Sequence, residues 1–184
     1  MKQNKRNLPL LISIPCLALG IAAWSSSADA AYFAKKATNA VCFTPGIACQ
    51  QSVVNEISAA QESIKVQAYV LTNPDILAAL VSAKQRNIDV KVILDKSQLV
   101  DHKEYKAAST YLISNKIPVW EDHKPPIAHN KILIIDDRII MTGSYNFSES
   151  ANKNAENFLK ISDGALSRVY IRNFEKRLKE SKKL

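Results

Sequence analysis

From Ala40 onward, short apolar runs alternate with longer stretches in which apolar residues recur every third or fourth position. A period near two marks a strand, and a period near 3.6 marks one face of a helix. The runs "AVCFT" and "IKVQAYVL" therefore predict strands, and the segment between them, from about Ile47 to Ser63, carries Val53, Val54, Ile57 and Ala60 at helical spacing. Asn73-Pro74 opens a second helix through "DILAALVSAKQRN", with Pro74 at a position the first turn tolerates. "DVKVILD" predicts a third strand, "KEYKAASTYLISNK" a third helix and "PVW" a short strand. Three further apolar runs, "KILIID", "RIIMTG" and "NFLKISD", follow His129, and a basic amphipathic helix runs from about Gly164 to the C-terminus. Strands separated by helices predict an α/β fold with a mixed, largely parallel sheet covered on both faces. No repeat or shift of composition marks a second domain, so residues 31–184 are expected to form one.

Residues 1–30 read differently. Lys2, Lys5 and Arg6 precede a mostly apolar run from Leu8 to Trp24, and Ala28-Asp29-Ala30 offers the small residues of a cleavage site. This is the pattern of an export signal, and it predicts a periplasmic or secreted protein with no stable membrane association after cleavage. An uncleaved anchor is the competing reading, but Pro9, Pro15 and Gly20 interrupt the run, which is short for a span. Three cations and one anion leave with the signal, lowering the formal net charge from +8 to +6. A basic exported protein favours anionic partners, and charge alone does not choose between nucleic acid and an acidic membrane surface.

Of three cysteines, Cys16 leaves with the signal. Cys42 and Cys49 flank "FTPGIA" and form either a short-loop disulfide or two small buried thiols. Neither has a histidine or acid at catalytic spacing.

The chemistry concentrates after Ile127. In a strand beginning near His129, His129 and Lys131 project to one side while Asp136 projects to the other. An imidazole and an ammonium can thus converge on one anionic group. Gly143 makes a tight turn, Ser144 and Asn146 add a hydroxyl and an amide suited to phosphate oxygens, and Glu156 supplies a carboxylate able to fix a histidine tautomer. Trp120, Tyr145 and Phe147 lie near this stretch as core residues or as surfaces for stacking bases.

His129-x-Lys131-x-x-x-x-Asp136 followed by Gly143-Ser144-x-Asn146 resembles the HKD motif of the phospholipase D superfamily, and the likeness reaches back through "AYVLTNPDILAALVSAKQRNIDVKVILD". It is nearest to the small exported bacterial endonucleases of that superfamily. The resemblance implies an α/β/α sandwich, one motif per chain and a homodimer with a shared active site. It further implies His129 as nucleophile or acid, Lys131 and Asn146 as phosphate ligands with Ser144 in support, Glu156 as the partner of His129, and Asp136 as structural. The reaction it implies is nonspecific endonucleolytic hydrolysis through a phosphohistidine; with no carboxylate cluster at Mg²⁺ spacing, no metal or other cofactor is expected, and DNA is favoured over RNA as partner without the sequence deciding between them. One His129 cannot serve as nucleophile and leaving-group acid in the same step. His102 and His123 lie in no second copy of the motif, and Pro125-Pro126 hold the backbone beyond His123 extended. A lipid phosphodiesterase and a noncatalytic nucleic-acid-binding module are the alternatives. The first should carry a long apolar interfacial segment, and the second has no use for His129, Lys131 and Glu156 together.

Overall fold

The computed structural model describes residues 39–97 and 103–184; the predicted signal at 1–30, Cys16 and His102 lie outside the described residues. The order is β1 (Ala40–Phe43), α1 (Ala48–Ala59), β2 (Ser63–Ala68), α2 (Pro74–Gln85), β3 (Asp89–Asp95), α3 (Lys103–Ser114) and β4 (Val119–Asp122). It continues with β5 (Lys131–Ile135), β6 (Ile139–Gly143), a 3-10 turn (Ser150–Lys153), β7 (Asn157–Ser162), α4 (Gly164–Glu180) and β8 (Lys182–Lys183). No helix among the described residues is long and apolar enough to cross a membrane.

The strands form one sheet in the order β1-β7-β6-β5-β2-β3-β4-β8. It is mixed, as expected, but mostly antiparallel: β2 pairs parallel with β3 and β3 with β4, and the other five pairings run antiparallel. The reason lies in the connections. A parallel neighbour needs a crossover of roughly a dozen residues or more, and only α2 and α3 supply one between adjacent strands.

Alternation along the strands sends two sets of side chains to opposite faces. Ile64, Val66, Val92, Leu94, Leu133 and Ile135 pack in one cluster with Ile57 of α1, Leu80 of α2 and Leu112 of α3. Ile93, Ile132 and Ile134 pack on the other face with Phe174 of α4. Burying each such side chain contributes about 1.5–3 kcal/mol. The result is helices on both faces of the sheet.

Local chemistry sets the element ends. Asn73 Oδ1 accepts from the Asp75 and Ile76 amides at 3.0 and 3.1 Å, which starts α2 with Pro74 inside its first turn. α1 stops at Ala59 instead of running to Ser63, because Ala60 is extended and the next three amides go elsewhere. Those of Gln61, Glu62 and Ser63 donate to the Asp136 carboxylate at 2.8–3.1 Å. Asp136 and Asp137 have φ of 50° and 54°, and Arg138 N donates to Ile135 O at 3.0 Å. That is a β-turn of the primed kind within the three-residue connection Asp136-Asp137-Arg138, where aspartate tolerates the left-handed conformation. Cys42 and Cys49 are disulfide-bonded with Cα atoms 5.3 Å apart, which ties β1 to the start of α1.

Burial would raise the Asp136 pKa, but the Ser63, Glu62 and Gln61 amides outweigh it, and the carboxyl titrates below its ordinary 3.8. A folded pKa below the unfolded one adds stability that is present above the unfolded value and lost as pH falls through the folded one. Asp136→Asn should therefore cost about 1–3 kcal/mol at neutral pH. In thermal melts against pH, the gap to the unaltered protein should shrink below pH 3.8; a gap independent of pH would refute this role.

Candidate active site

The motif residues meet at one end of the sheet. The C-terminal end of β2, the N-terminal end of β5, the C-terminal end of β6 and the N-terminal end of β7 lie there, through the pairings Ala68↔Lys131, Ile132↔Thr142 and Gly143↔Phe158. Tyr69 N donates to Asn130 O at 2.8 Å, extending the β2–β5 ladder up to His129.

His129 and Lys131 share a face, as strand parity requires. His129 is exposed, whereas Lys131 is 6% exposed. The Lys131 Nζ lies 2.9 Å from His129 Nδ1, 3.1 Å from Nε2 and 3.0 Å from the His129 carbonyl oxygen. An ammonium only donates, so the imidazole nitrogen it engages is the acceptor. Burial pulls the Lys131 pKa below its usual value, against the opposing pull of the Glu156 carboxylate. The Tyr69 ring packs against the imidazole with centroids 4.5 Å apart and lies 5.1 Å from the Lys131 Nζ.

Gly143 is where β6 and β7 come closest. A Cβ there would stand 2.2 Å from the Asn157 carbonyl oxygen, which is backbone and cannot yield cheaply. Gly143→Ala should therefore force the strands apart, costing about 1–3 kcal/mol by overpacking and misplacing the loop beyond. Chemical denaturation measures the first effect and turnover the second; an unchanged midpoint would refute the clash. Within that loop, the Ser144 and Tyr145 amides both donate to Asn157 O, and Ser144 Oγ donates to Asn157 Oδ1 at 3.2 Å. The loop then crosses the end of β2, where Phe147 N donates to Val70 O at 3.2 Å and Phe147 O accepts from Thr72 and Asn73 at 2.9 Å. This carries Asn146 to the same end of the sheet. Its Oδ1 is buried with no hydrogen-bond partner among the described residues, and an acceptor left unmet in this way costs about 1–3 kcal/mol.

Glu156 does not bond His129 within this chain. Its carboxylate accepts from Asn154 Nδ2 at 3.1 Å and acts on Lys131 through charge. Asp136 lies in the β5–β6 turn, among the amides it binds. Among the described residues, no group of three or more His, Cys, Asp and Glu side chains could hold a metal ion.

The aromatic candidates for base stacking do not serve. Tyr145 and Phe147 are 0% exposed and pack with Phe158 in the core. Burial pushes the Tyr145 phenol up to about 12, and its hydroxyl donates to Asn152 Oδ1 at 2.7 Å. Trp120 packs against α4 with Lys183 over its ring. His123 is exposed in the loop before the motif.

Two contributors carry no signal in sequence. Tyr69 sits in an apolar run where strand propensity alone accounts for an aromatic. Asp95, at the end of β3 and 2% exposed, accepts from the Ala128 amide at 2.6 Å and the Ser97 amide at 2.9 Å. Burial works to raise its pKa, but these bonds, the Ser97 hydroxyl and Lys96 hold it below the usual value. It pins the backbone one residue before His129.

Residues 53–178 match the family described as "Cardiolipin synthase, PLD-like domain". The chain belongs to the phospholipase D superfamily. It is 42% identical over 135 residues to a protein named phospholipase D from Rickettsia prowazekii (strain Madrid E), covering 72% of this chain and 64% of that one. The chain thus spans less than two thirds of the length of that relative. A human mitochondrial cardiolipin hydrolase is 27% identical over 126 residues, 67% of this chain and 48% of its own. Among solved structures, Nuc from Salmonella typhimurium, a phospholipase D family member, superposes with a TM-score of 0.78 at 32% identity, over 81% of this chain and 99% of that one. NucT from Helicobacter pylori gives 0.70 at 28% identity, over 81% and 100%.

Proposed function

We propose that this chain is a phosphodiester hydrolase acting on nucleic acid as a nonspecific, metal-independent endonuclease. The observation that carries it is the His129–Lys131 pair at the end of the sheet where β2, β5, β6 and β7 meet, with the ammonium 2.9 Å from an imidazole nitrogen. In the proposed reaction, a neutral imidazole nitrogen attacks phosphorus in line, forming an N–P bond as the leaving P–O bond breaks. A second imidazole protonates the leaving oxygen. Water, deprotonated by that second imidazole, then hydrolyses the phosphohistidine and restores both rings. Lys131 and Asn146, supported by Ser144, stabilise the charge gathering on the phosphoryl oxygens. Glu156 orients His129 once substrate draws Lys131 away. The net positive charge favours a polyanionic substrate, held through its backbone without base readout and without stable attachment to membrane.

The second imidazole comes from an identical chain. Val41 and Phe43 on the edge strand β1, and Leu159 beside them on β7, are 50%, 66% and 38% exposed. Strand parity puts them on one face, because Cys42 and Phe158 between them turn to α1. Phe43 stands opposite Asn157, which holds Ser144, so this apolar patch borders the site. A second copy seated there would cover the patch and bring two sites together across a two-fold axis. Export of the chain through its N-terminal signal accords with the Cys42–Cys49 disulfide, since such bonds persist in oxidising compartments.

The names of the phospholipase D and cardiolipin hydrolase relatives favour a second reading, lipid phosphodiester hydrolysis. One experiment separates them: plasmid DNA, RNA and phosphatidylcholine vesicles are each incubated with the protein in excess EDTA. Degradation of plasmid in chelator is expected; loss of activity restored by Mg²⁺ would sink the metal-independent route, and cleavage of vesicles alone would favour the lipid reading.

A further inference from the structure

Beside the site lies an open cleft of about 720 Å³ between the start of α2, the body of α3 and the loop carrying Asn146. Val70, Leu77 and Ala108, each less than 10% exposed, form its apolar floor. Tyr111, 43% exposed, and Lys153, which forms no ion pair among the described residues, stand on its rim. Val70 directly follows the Tyr69 that packs on His129, and Asn146 lines the cleft as well as the motif loop. The cleft therefore opens from the end of the sheet that carries the motif.

We propose that this cleft is a nucleoside subsite, which takes the sugar and base adjoining the scissile phosphate and stacks that base on Tyr111. The proposal rests on the nucleic-acid reading above and names where that substrate lies. The lining decides the occupant class. An apolar floor and an exposed phenol ring offer a flat surface to a base. The hydroxyls of Thr72, Ser148 and Ser150, with Ser148 and Ser150 3.0 Å apart, offer donors and acceptors to a sugar. An acyl chain laid there would strip water from those groups without replacing its hydrogen bonds, which costs free energy. Glu149, also in the lining, repels a phosphate from the interior, so the backbone keeps to Lys131 at one end and Lys153 at the rim. The volume falls within the range that holds a small ligand.

The test compares Tyr111→Ala and Ala107→Leu, both exposed positions on α3, with the unaltered protein. The substrates are a short oligothymidylate, methyl 4-nitrophenyl phosphate, which carries no nucleoside, and phosphatidylcholine vesicles. Stacking on an aromatic ring predicts a fall in kcat/KM of about ten-fold on the oligonucleotide for Tyr111→Ala, with the small diester cleaved at its original rate. Ala107→Leu narrows the cleft and should act in the same direction. Equal losses on both diesters, no loss on either, or a loss confined to vesicle hydrolysis overturns the subsite. If the unaltered protein cleaves neither diester, the catalytic reading fails by itself. Oligonucleotide affinity, measured by fluorescence anisotropy, then decides the cleft: Tyr111→Ala must weaken it about ten-fold, and unchanged affinity overturns the proposal.

Discussion

His129→Ala is expected to remove phosphodiester hydrolysis almost completely, by a factor on the order of 10⁴ or more, while the protein stays folded and keeps the proposed dimer. Removing the nucleophile of the proposed covalent mechanism would leave only binding and electrostatic stabilisation, and catalytic groups that act as a unit lose most of their effect when one is deleted. Folding should survive because His129 is exposed and its contacts are local, with Tyr69 and Lys131. The same substitution tests the shared site. Each dimer would need two imidazoles, one attacking and one protonating, so a heterodimer of altered and unaltered chains has only one. Unaltered protein mixed with a large excess of His129→Ala under subunit exchange should therefore lose most of its activity per unaltered chain. Activity that persists in the mixture, or a fully active monomer in sedimentation, would defeat the shared site and direct attention to His123 or His102.

The parts of this arrangement that were legible in sequence depend on fixed spacings. His129 and Lys131 share a face because side chains alternate along any strand. Helix α2 was legible because Asn73 and Pro74 act within one turn of where they stand. Strand direction was not legible in the apolar runs. "KILII" and "RII" read alike for either direction, and it is the three-residue Asp136-Asp137-Arg138 link, too short for a crossover, that makes the pair antiparallel. The Tyr145 and Phe147 rings were ambiguous because flanking a motif says nothing of which way a ring turns, and in the fold both turn inward onto Phe158. Asp95 was hidden for a different reason. Its partner amide at Ala128 lies 33 positions away, a pairing that only the end of β3 and the loop before His129 bring together.

Lys131→Met should separate activity from stability in opposite directions. The ammonium is to stabilise charge on the phosphoryl oxygens, and deleting one such preorganised donor commonly costs about 10²–10³-fold in kcat. In the proposed symmetric dimer both copies of the lysine would be lost, so a fall of about 10³-fold or more is expected. Yet Lys131 is 6% exposed, and burial lowers its pKa below the ordinary 10.5 even with Glu156 opposing. For a base, a folded pKa below the unfolded one means that folding works against its proton. At neutral pH the unfolded chain holds that proton more firmly, and the charged lysine is a net cost to the native state. Methionine fills similar space with no charge to desolvate, so Tm should hold or rise as turnover collapses. The same shift fixes the alkaline limb for the unaltered protein: kcat should begin to fall at a pH below 10.5 as Lys131 loses its proton. An inactive variant with a clearly lowered Tm would show that Lys131 supports the fold instead, and an active one that the charge on substrate is met elsewhere.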